Sequence, residues 1–565
     1  MQEDFIPFQN IGLCFSGGGY RATFFSLGVV SYYDKIHYLG KPLLENVEAI
    51  STVSGGTLFG VAFAKASQQE NFNFQEFFTQ FYNDFKPTYD MLLSTAIEKL
   101  GNDKVWKENP HKKRSLINAF ALTYADMEIY KGSFDMFLDK EKLKNLKYVC
   151  FNSTEFSFGL AFRFQNCGLF GNKPLSSKHL NDLEGQLQLG DIVASSSCFP
   201  LGFEPLTFPD DYIKNQQTTA YKSVKSLERF ADGVGIMDGG IADNQGIGSM
   251  INISEARKRD DELKKELDLI VVNDVGSFKM NPWQPEAKAK NESASIKSTI
   301  SKIMSFVKIK PLYIIVLVVG ILLMVLNSME IVKGKSWTAL YILGGIITGI
   351  GLLLTVLGLL ATVAKGFGIR SIKSLFTKNV PPPLVDDVLS FGKLSIGLVQ
   401  RMLTERISST VIMVNDIFLK QVRRLNYKLL YSNSELRHKV ITATVYELNG
   451  EKTAYSKSFS YNRNIKPAPS TILKNVGLTA SETPTTLWWD ETDIQKDRMD
   501  TLIACGQFTS CYKLMDYILK LKKNKKIKLS EEQTTAIDAL YDALLEDWKA
   551  FNENPLFYVE TLKKA

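Results

Sequence analysis

The chain has 565 residues, with 67 Lys and Arg against 60 Asp and Glu, for a net charge of +7. Apolar residues make up 45% and charged ones 22%, which excludes a disordered, collagen-like or disulfide-scaffold chain. So small a basic excess over this length gives no nucleic-acid footprint, and six scattered cysteines without a CxxC pair give neither a disulfide frame nor a zinc site.

In chain order, Ile11–Phe15 reads as a short buried strand, Ser16-Gly-Gly-Gly-Tyr-Arg21 as a turn, Tyr20–Tyr33 as a helix and Val47–Val53 as a second strand. Strand, helix and strand within about 45 residues predict a right-handed βαβ unit and a parallel sheet. Consecutive glycines before a helix turn backbone N–H groups toward one point, a nest suited to a phosphate or to the oxyanion of acyl transfer. The same residues also suit a plain strand-to-helix turn. Thr52-Val-Ser-Gly-Gly56 is a second sharp turn, whose apex Ser54 has the setting of a nucleophile elbow. Thr52 occupies the first glycine position of that pattern, and Ser51, at the strand end, is the local competitor.

A nucleophilic serine needs a base, and none of the four histidines (37, 111, 179 and 438) lies in a motif. Met237-Asp-Gly-Gly-Ile-Ala-Asp-Asn-Gln-Gly246 offers Asp238, with Asp243 as the alternative. Either is equally consistent with a loop Asp bonding its own backbone. Tyr148–Phe151, Leu269–Asn273 and Val440–Tyr446 predict further strands.

Two stretches are uncharged: 312–329 and 336–364, of 18 and 29 residues. They predict a transmembrane helical hairpin, with Gly345 and Gly349 at GxxxG spacing. Lys297, Lys302, Lys308 and Lys310 before it and Lys365, Arg370, Lys373 and Lys378 after it place both soluble halves and both termini in the cytoplasm. Pro381, Pro382 and Pro383 mark a boundary, 384–431 reads as a long amphipathic helix, and Lys520–Lys528 carries six lysines before a capped helix from Ser530. The expected divisions are 1–295, 296–380, 381–515 and 516–565.

SGGGYR, TVSGG and DGG in that order resemble the patatin-like phospholipases, which include the cytosolic phospholipase A2 catalytic domains. Ala194-Ser-Ser-Ser-Cys-Phe-Pro200 and Asn152-Ser-Thr-Glu155 also look familial. The resemblance covers about 9–275 and, more loosely, 384–515. It implies an α/β, three-layer patatin-like fold with a mostly parallel central sheet, here interrupted by the transmembrane hairpin. It implies Ser54 as nucleophile and Asp238 as base in a Ser-Asp dyad, and Gly17, Gly18 and Gly19 as the oxyanion hole. Arg21 becomes the basic residue that contacts substrate or anion. The expected protein is a phospholipase A or lysophospholipase of a bacterial inner membrane that needs no metal or cofactor. Its partners are membrane phospholipids and the bilayer, with no nucleic acid, and its restraint comes from a regulatory ligand or homo-oligomer. An acyltransferase shares the same acyl-enzyme, and a catalytically weak membrane scaffold or sensor is the alternative.

Overall fold

A computed structural model describes residues 5–86, 91–139, 141–172, 175, 183–200, 202–260, 264–276, 311–329, 337–363, 401–402, 405–406, 408–410, 412–450, 461–525 and 527–564. It divides into a unit formed by 1–280 with 417–565 and a unit formed by 281–416.

In the first unit, β1 (Ile11–Phe15) leads through the glycine turn into α1 (Gly19–Lys35), and β2 (Val47–Val53) leads through Ser54 into α2 (Gly55–Ala66). β3 (Tyr148–Glu155) and β4 (Leu160–Gln165) form a hairpin, followed by α3 (Leu189–Ser196), β5 (Leu206–Phe208), β6 (Val234–Asp238), α4 (Ile247–Arg259) and β7 (Leu269–Asp274). In the second unit lie α5 (Pro311–Ser328) and α6 (Thr338–Val363). The first unit resumes with α7 (Leu419–Ser432), β8 (Val440–Thr444), α8 (Thr471–Ser481), α9 (Arg498–Lys523) and α10 (Glu531–Glu553).

The strands form one sheet in the order β8-β7-β1-β2-β3-β6-β5, with β4 also on β3. β8, β7, β1, β2 and β3 run parallel, whereas β4 and β6 pair antiparallel with β3, and β5 antiparallel with β6. Side chains alternate between two cores because successive strand residues face opposite ways. Leu13, Phe15, Leu269 and Val271 join the large core with α1, α2 and α9. Cys14, Ile270 and Val272 join a smaller one with Met250 of α4 and Leu430 of α7. Helices on both faces of a mostly parallel sheet give the expected three-layer α/β architecture. The domain boundary expected at 515 falls inside α9, and α10 buries Trp548 in the large core.

β3 changes partner along its length. Its residues 148–152 pair with β2, and Ser153–Glu155 pair with β6, while β4 holds its other side from Cys150 to Glu155. β2 and β6 therefore approach head to head along one side of β3, ending at Val53 opposite Asn152 and at Asp238 opposite Ser153.

The chain leaves for the second unit just after β7 and returns through α7, and these two stems are braced together. Asp274, fully buried, accepts from Arg423 Nε at 2.7 Å, Tyr427 Oη at 2.7 Å and Gln245 Nε2 at 3.3 Å.

The uncharged runs form α5 and α6. Their seam is not the one the sequence suggests: a Cβ on Gly345 or Gly349 would meet nothing within 4 Å. Gly320, Gly344 and Gly351 make the close approach instead; a Cβ on Gly351 would lie 2.6 Å from the Leu317 amide nitrogen. Asn327 ties the helix ends, donating to the Trp337 carbonyl at 3.0 Å and accepting from its N–H at 2.9 Å. Among the described residues no helix is long and apolar enough to cross a membrane, so the expected transmembrane hairpin is not found. Side chains are described over 313–328 of α5 and 340–352 of α6. The basic flanks at 297–310 and 365–378, the three prolines and 384–400 of the expected long helix lie outside the described residues.

α1 and α9 cross at paired glycines. A Cβ on Gly28 would lie 2.0 Å from the Ile503 carbonyl oxygen, and one on Gly506 2.2 Å from that of Phe25. Gly506→Ala must push two buried helices apart, at a cost of about 1–3 kcal/mol. The expected result is a thermal midpoint several degrees lower by circular dichroism.

Candidate active site

Ser54 sits between β2 and α2 with φ 51° and ψ −122°. For a residue with a Cβ this backbone is strained by about 1–3 kcal/mol. The strain persists because the surroundings leave no alternative. The Ser54 N–H donates to Ser196 Oγ at 2.9 Å, and that hydroxyl donates to the Asn152 carbonyl at 2.6 Å. The glycines after Ser54 let backbones meet: a Cβ on Gly55 would fall 1.9 Å from the Gly19 carbonyl oxygen, and one on Gly56 2.6 Å from that of Phe15. Thr52 does not crowd the elbow. It is fully buried, its hydroxyl lies 2.9 Å from Thr57 Oγ1, and its methyl fills the space beside Gly60.

The head-to-head meeting of β2 and β6 brings Asp238 beside this serine, whose hydroxyl favours the charged form of the carboxylate. The Gly240 N–H donates to Asp238 Oδ1 at 2.7 Å. Burial pushes the Asp238 carboxyl up to about 6, against the opposing pull of the Ser54 hydroxyl and the Gly240 N–H. The competing residues have other work. Asp243 accepts from the N–H groups of Ile247 at 3.2 Å and Gly248 at 2.7 Å, at the start of α4. Ser51 donates to the Gly246 carbonyl at 2.7 Å.

The glycine turn faces the same point, but its three members differ. The Gly17 N–H donates to the Asn244 carbonyl at 2.9 Å, so it is turned inward and does not serve as an anion donor. Gly17 is needed for space: a Cβ there would fall 2.4 Å from Asn244 Oδ1 and 3.2 Å from Ser54 Cβ. Gly18 (φ 147°) and Gly19 (φ 53°) open α1, where N–H groups lack helical acceptors and carry the positive end of the helix. Both backbone angles are ones that only glycine holds without strain. Behind them the Thr486 carbonyl accepts from the Tyr20 N–H at 2.8 Å.

Arg21 departs from the expected anion contact. Its guanidinium is buried, and Nη1 donates to the Ser481 carbonyl at 2.9 Å, at the carboxyl end of α8. Burial lowers it to about 10, with Asp274 opposing that shift and Arg423 and Arg498 adding to it. Its partner is thus a helix end.

Three contributors were not assigned from sequence. Ser196 and Asn152 hold the elbow, and Asn152 also donates from Nδ2 to Ser51 Oγ at 3.0 Å and to the Thr52 carbonyl at 2.9 Å. Asn244 packs its side-chain oxygen against both Gly17 and Gly240. All three lie in stretches that stand out in the sequence, but a residue that acts on a neighbour's backbone has no spacing of its own to announce it. Among the described residues no group of His, Cys, Asp and Glu is placed to hold a metal ion.

Residues 13–251 match the model of the patatin-like phospholipase family. No curated protein matches the chain. Among solved structures, human GIVD cytosolic phospholipase A2 is similar at 13% identity and a TM-score of 0.30; the match covers 48% of this chain and 46% of that one. The chain therefore spans less than half the length of that structure.

Two consequences of the strained, buried pair are measurable. Ser54→Gly should be more stable than Ser54→Ala by about 1 kcal/mol in denaturant unfolding, since glycine relieves the positive φ and alanine keeps it. Asp238 binds its proton more tightly folded than unfolded, so its contribution favours folding below pH 4 and is lost as pH rises through about 6. Asp238→Asn should therefore raise stability at pH 8 by up to ~3 kcal/mol, and the gain should vanish by about pH 4.

Proposed function

We infer that this protein is a lipid acyl hydrolase that cleaves fatty-acyl esters of glycerophospholipids or lysophospholipids through Ser54 and Asp238. The observation that carries the reading is the meeting of the strained Ser54 and the buried Asp238 at the facing ends of β2 and β6, beside the glycine turn that opens α1. The family match over 13–251 supports the same class.

In this reading Ser54 Oγ attacks the ester carbonyl carbon and its proton passes to the Asp238 carboxylate. The Gly18 and Gly19 amides take the charge that develops on the carbonyl oxygen, where preorganised donors act most strongly. As the tetrahedral intermediate collapses, Asp238 returns the proton to the leaving alcohol. Water, deprotonated by the same carboxylate, then attacks the acyl-enzyme and releases the fatty acid and Ser54. The raised affinity of Asp238 for its proton suits it to this exchange, because an ordinary carboxylate is too weak a base at neutral pH.

The α5–α6 pair supports an attachment to lipid. It exposes Ile315, Val318, Leu322, Ile342, Ile346 and Leu352, and the sequence around it is uncharged over 312–329 and 336–364. The basic flanks put the catalytic unit on the cytoplasmic side in this reading. The buried, well-packed position of Thr52 favours turnover over a catalytically silent scaffold.

Purified full-length protein in nanodiscs of mixed phospholipids should release free fatty acid, detected by mass spectrometry. Ser54→Ala and Asp238→Ala should each lower release by at least roughly 10³-fold, and a fluorophosphonate should label Ser54 in the wild type. The apparent kcat/KM should fall as pH drops through about 6, when Asp238 becomes protonated. Release that survives both substitutions would overturn the assignment.

A further inference from the structure

The hairpin between β3 and β4 turns at Phe156-Ser-Phe-Gly159, and all four residues are exposed, Phe156 by 59% and Phe158 by 50%. Turn residues are ordinarily small and polar, so two protruding phenylalanines break the local rule, as functional sites do. The turn is also held rigidly. The Phe156 N–H donates to the Gly235 carbonyl at 2.7 Å, Ser157 Oγ accepts from the Gly235 N–H at 2.9 Å, and Gly159 takes φ 68°. Phe158 is covered on one face by Arg229, whose guanidinium carbon lies 3.7 Å from the ring centroid. The rings are thus presented, with a cation beside them.

The position of the turn follows from the strand register. β3 passes the catalytic level at Asn152 and Ser153, opposite the ends of β2 and β6, and continues in the same direction to the turn. Phe156 stands three residues beyond Ser153, or roughly 10 Å along the strand. The aromatic tip therefore lies beyond the β2–β6 junction that holds Ser54 and Asp238.

We propose that the Phe156–Gly159 turn is the element that docks the catalytic edge on a phospholipid surface, with both rings in the headgroup–acyl boundary and Arg229 against a lipid phosphodiester. The inference rests on the lipid-hydrolase reading and names how that site meets its substrate surface. Two rings with an adjacent guanidinium match such a boundary: the apolar bodies enter about 5–10 Å and the cation stays at headgroup level. A rigid tip also loses little conformational freedom on insertion.

The test uses the full chain carrying Ser54→Ala and Cys167→Ser, with Phe156→Cys labelled by an environment-sensitive fluorophore, in nanodiscs doped with doxyl-labelled phosphatidylcholine. Quenching at 156 should exceed that of the same label at Glu255→Cys, an exposed position on α4. In the otherwise wild-type chain, Phe156→Ser with Phe158→Ser should lower fatty-acid release from nanodisc phospholipid by about tenfold or more and leave hydrolysis of a soluble short-chain ester unchanged. No excess quenching at 156 overturns the proposal, whether the tip then faces water or a protein partner. Equal losses on both substrates overturn it too, by marking the turn as structural. A wild type that releases nothing while position 156 is still quenched would refute the hydrolase reading and leave the docking intact.

Discussion

The candidate site depends on one exchange of hydrogen-bonding partners along β3. Where β2 stops, β6 takes over the same side of the strand from the opposite direction, and the gap between their ends is a single step in register. The candidate nucleophile, Ser54, follows the last residue of one strand, and the candidate base, Asp238, is the last residue of the other. Their contact is therefore set by backbone ladders in the middle of the sheet, with no need for a flexible loop. The buried hydroxyl of Ser196 and amide of Asn152 complete the junction by satisfying the backbone groups that the interrupted pairing leaves over.

That junction also sets what the neighbouring residues can be. The first turns of α1 and α2 run against each other so closely that the carbonyl of Gly19 occupies the place of any side chain on Gly55. Gly17 gives way to Asn244 and Ser54 in the same manner. The glycines of the two motifs thus differ in role, some holding left-handed backbone angles and others only clearing space. Substitution would report these as different defects, in turnover for the first kind and in folding for the second.

The parallel strands, their order into a βαβ unit, the sharp turn at Ser54 and the turn after Asp238 were legible because each leaves a local mark: an apolar run, a glycine turn or a sharp Asp-Gly-Gly. What was not legible depends on the direction of single groups. Sequence treats Gly17, Gly18 and Gly19 alike, yet the first gives its N–H to the Asn244 carbonyl. Arg21 was read as an anion contact, but the helix end at Ser481, 460 residues away in sequence, claims it. In the apolar pair, Gly345 and Gly349 had the familiar spacing, whereas the seam runs along Gly320, Gly344 and Gly351. Spacing tells which residues share a face and leaves open which face meets the partner helix.

The brace between Asp274 and Arg423 joins the two points where the first unit is interrupted. An insertion is normally tolerated when its ends lie close together and do not pull on the host. Here a buried ion pair, reinforced by Tyr427 and Gln245, closes the host across the break. The 136-residue segment from 281 to 416 is thereby topologically a side branch. A change in its length would fall outside the hydrogen-bonded ladders that set the β2–β6 junction.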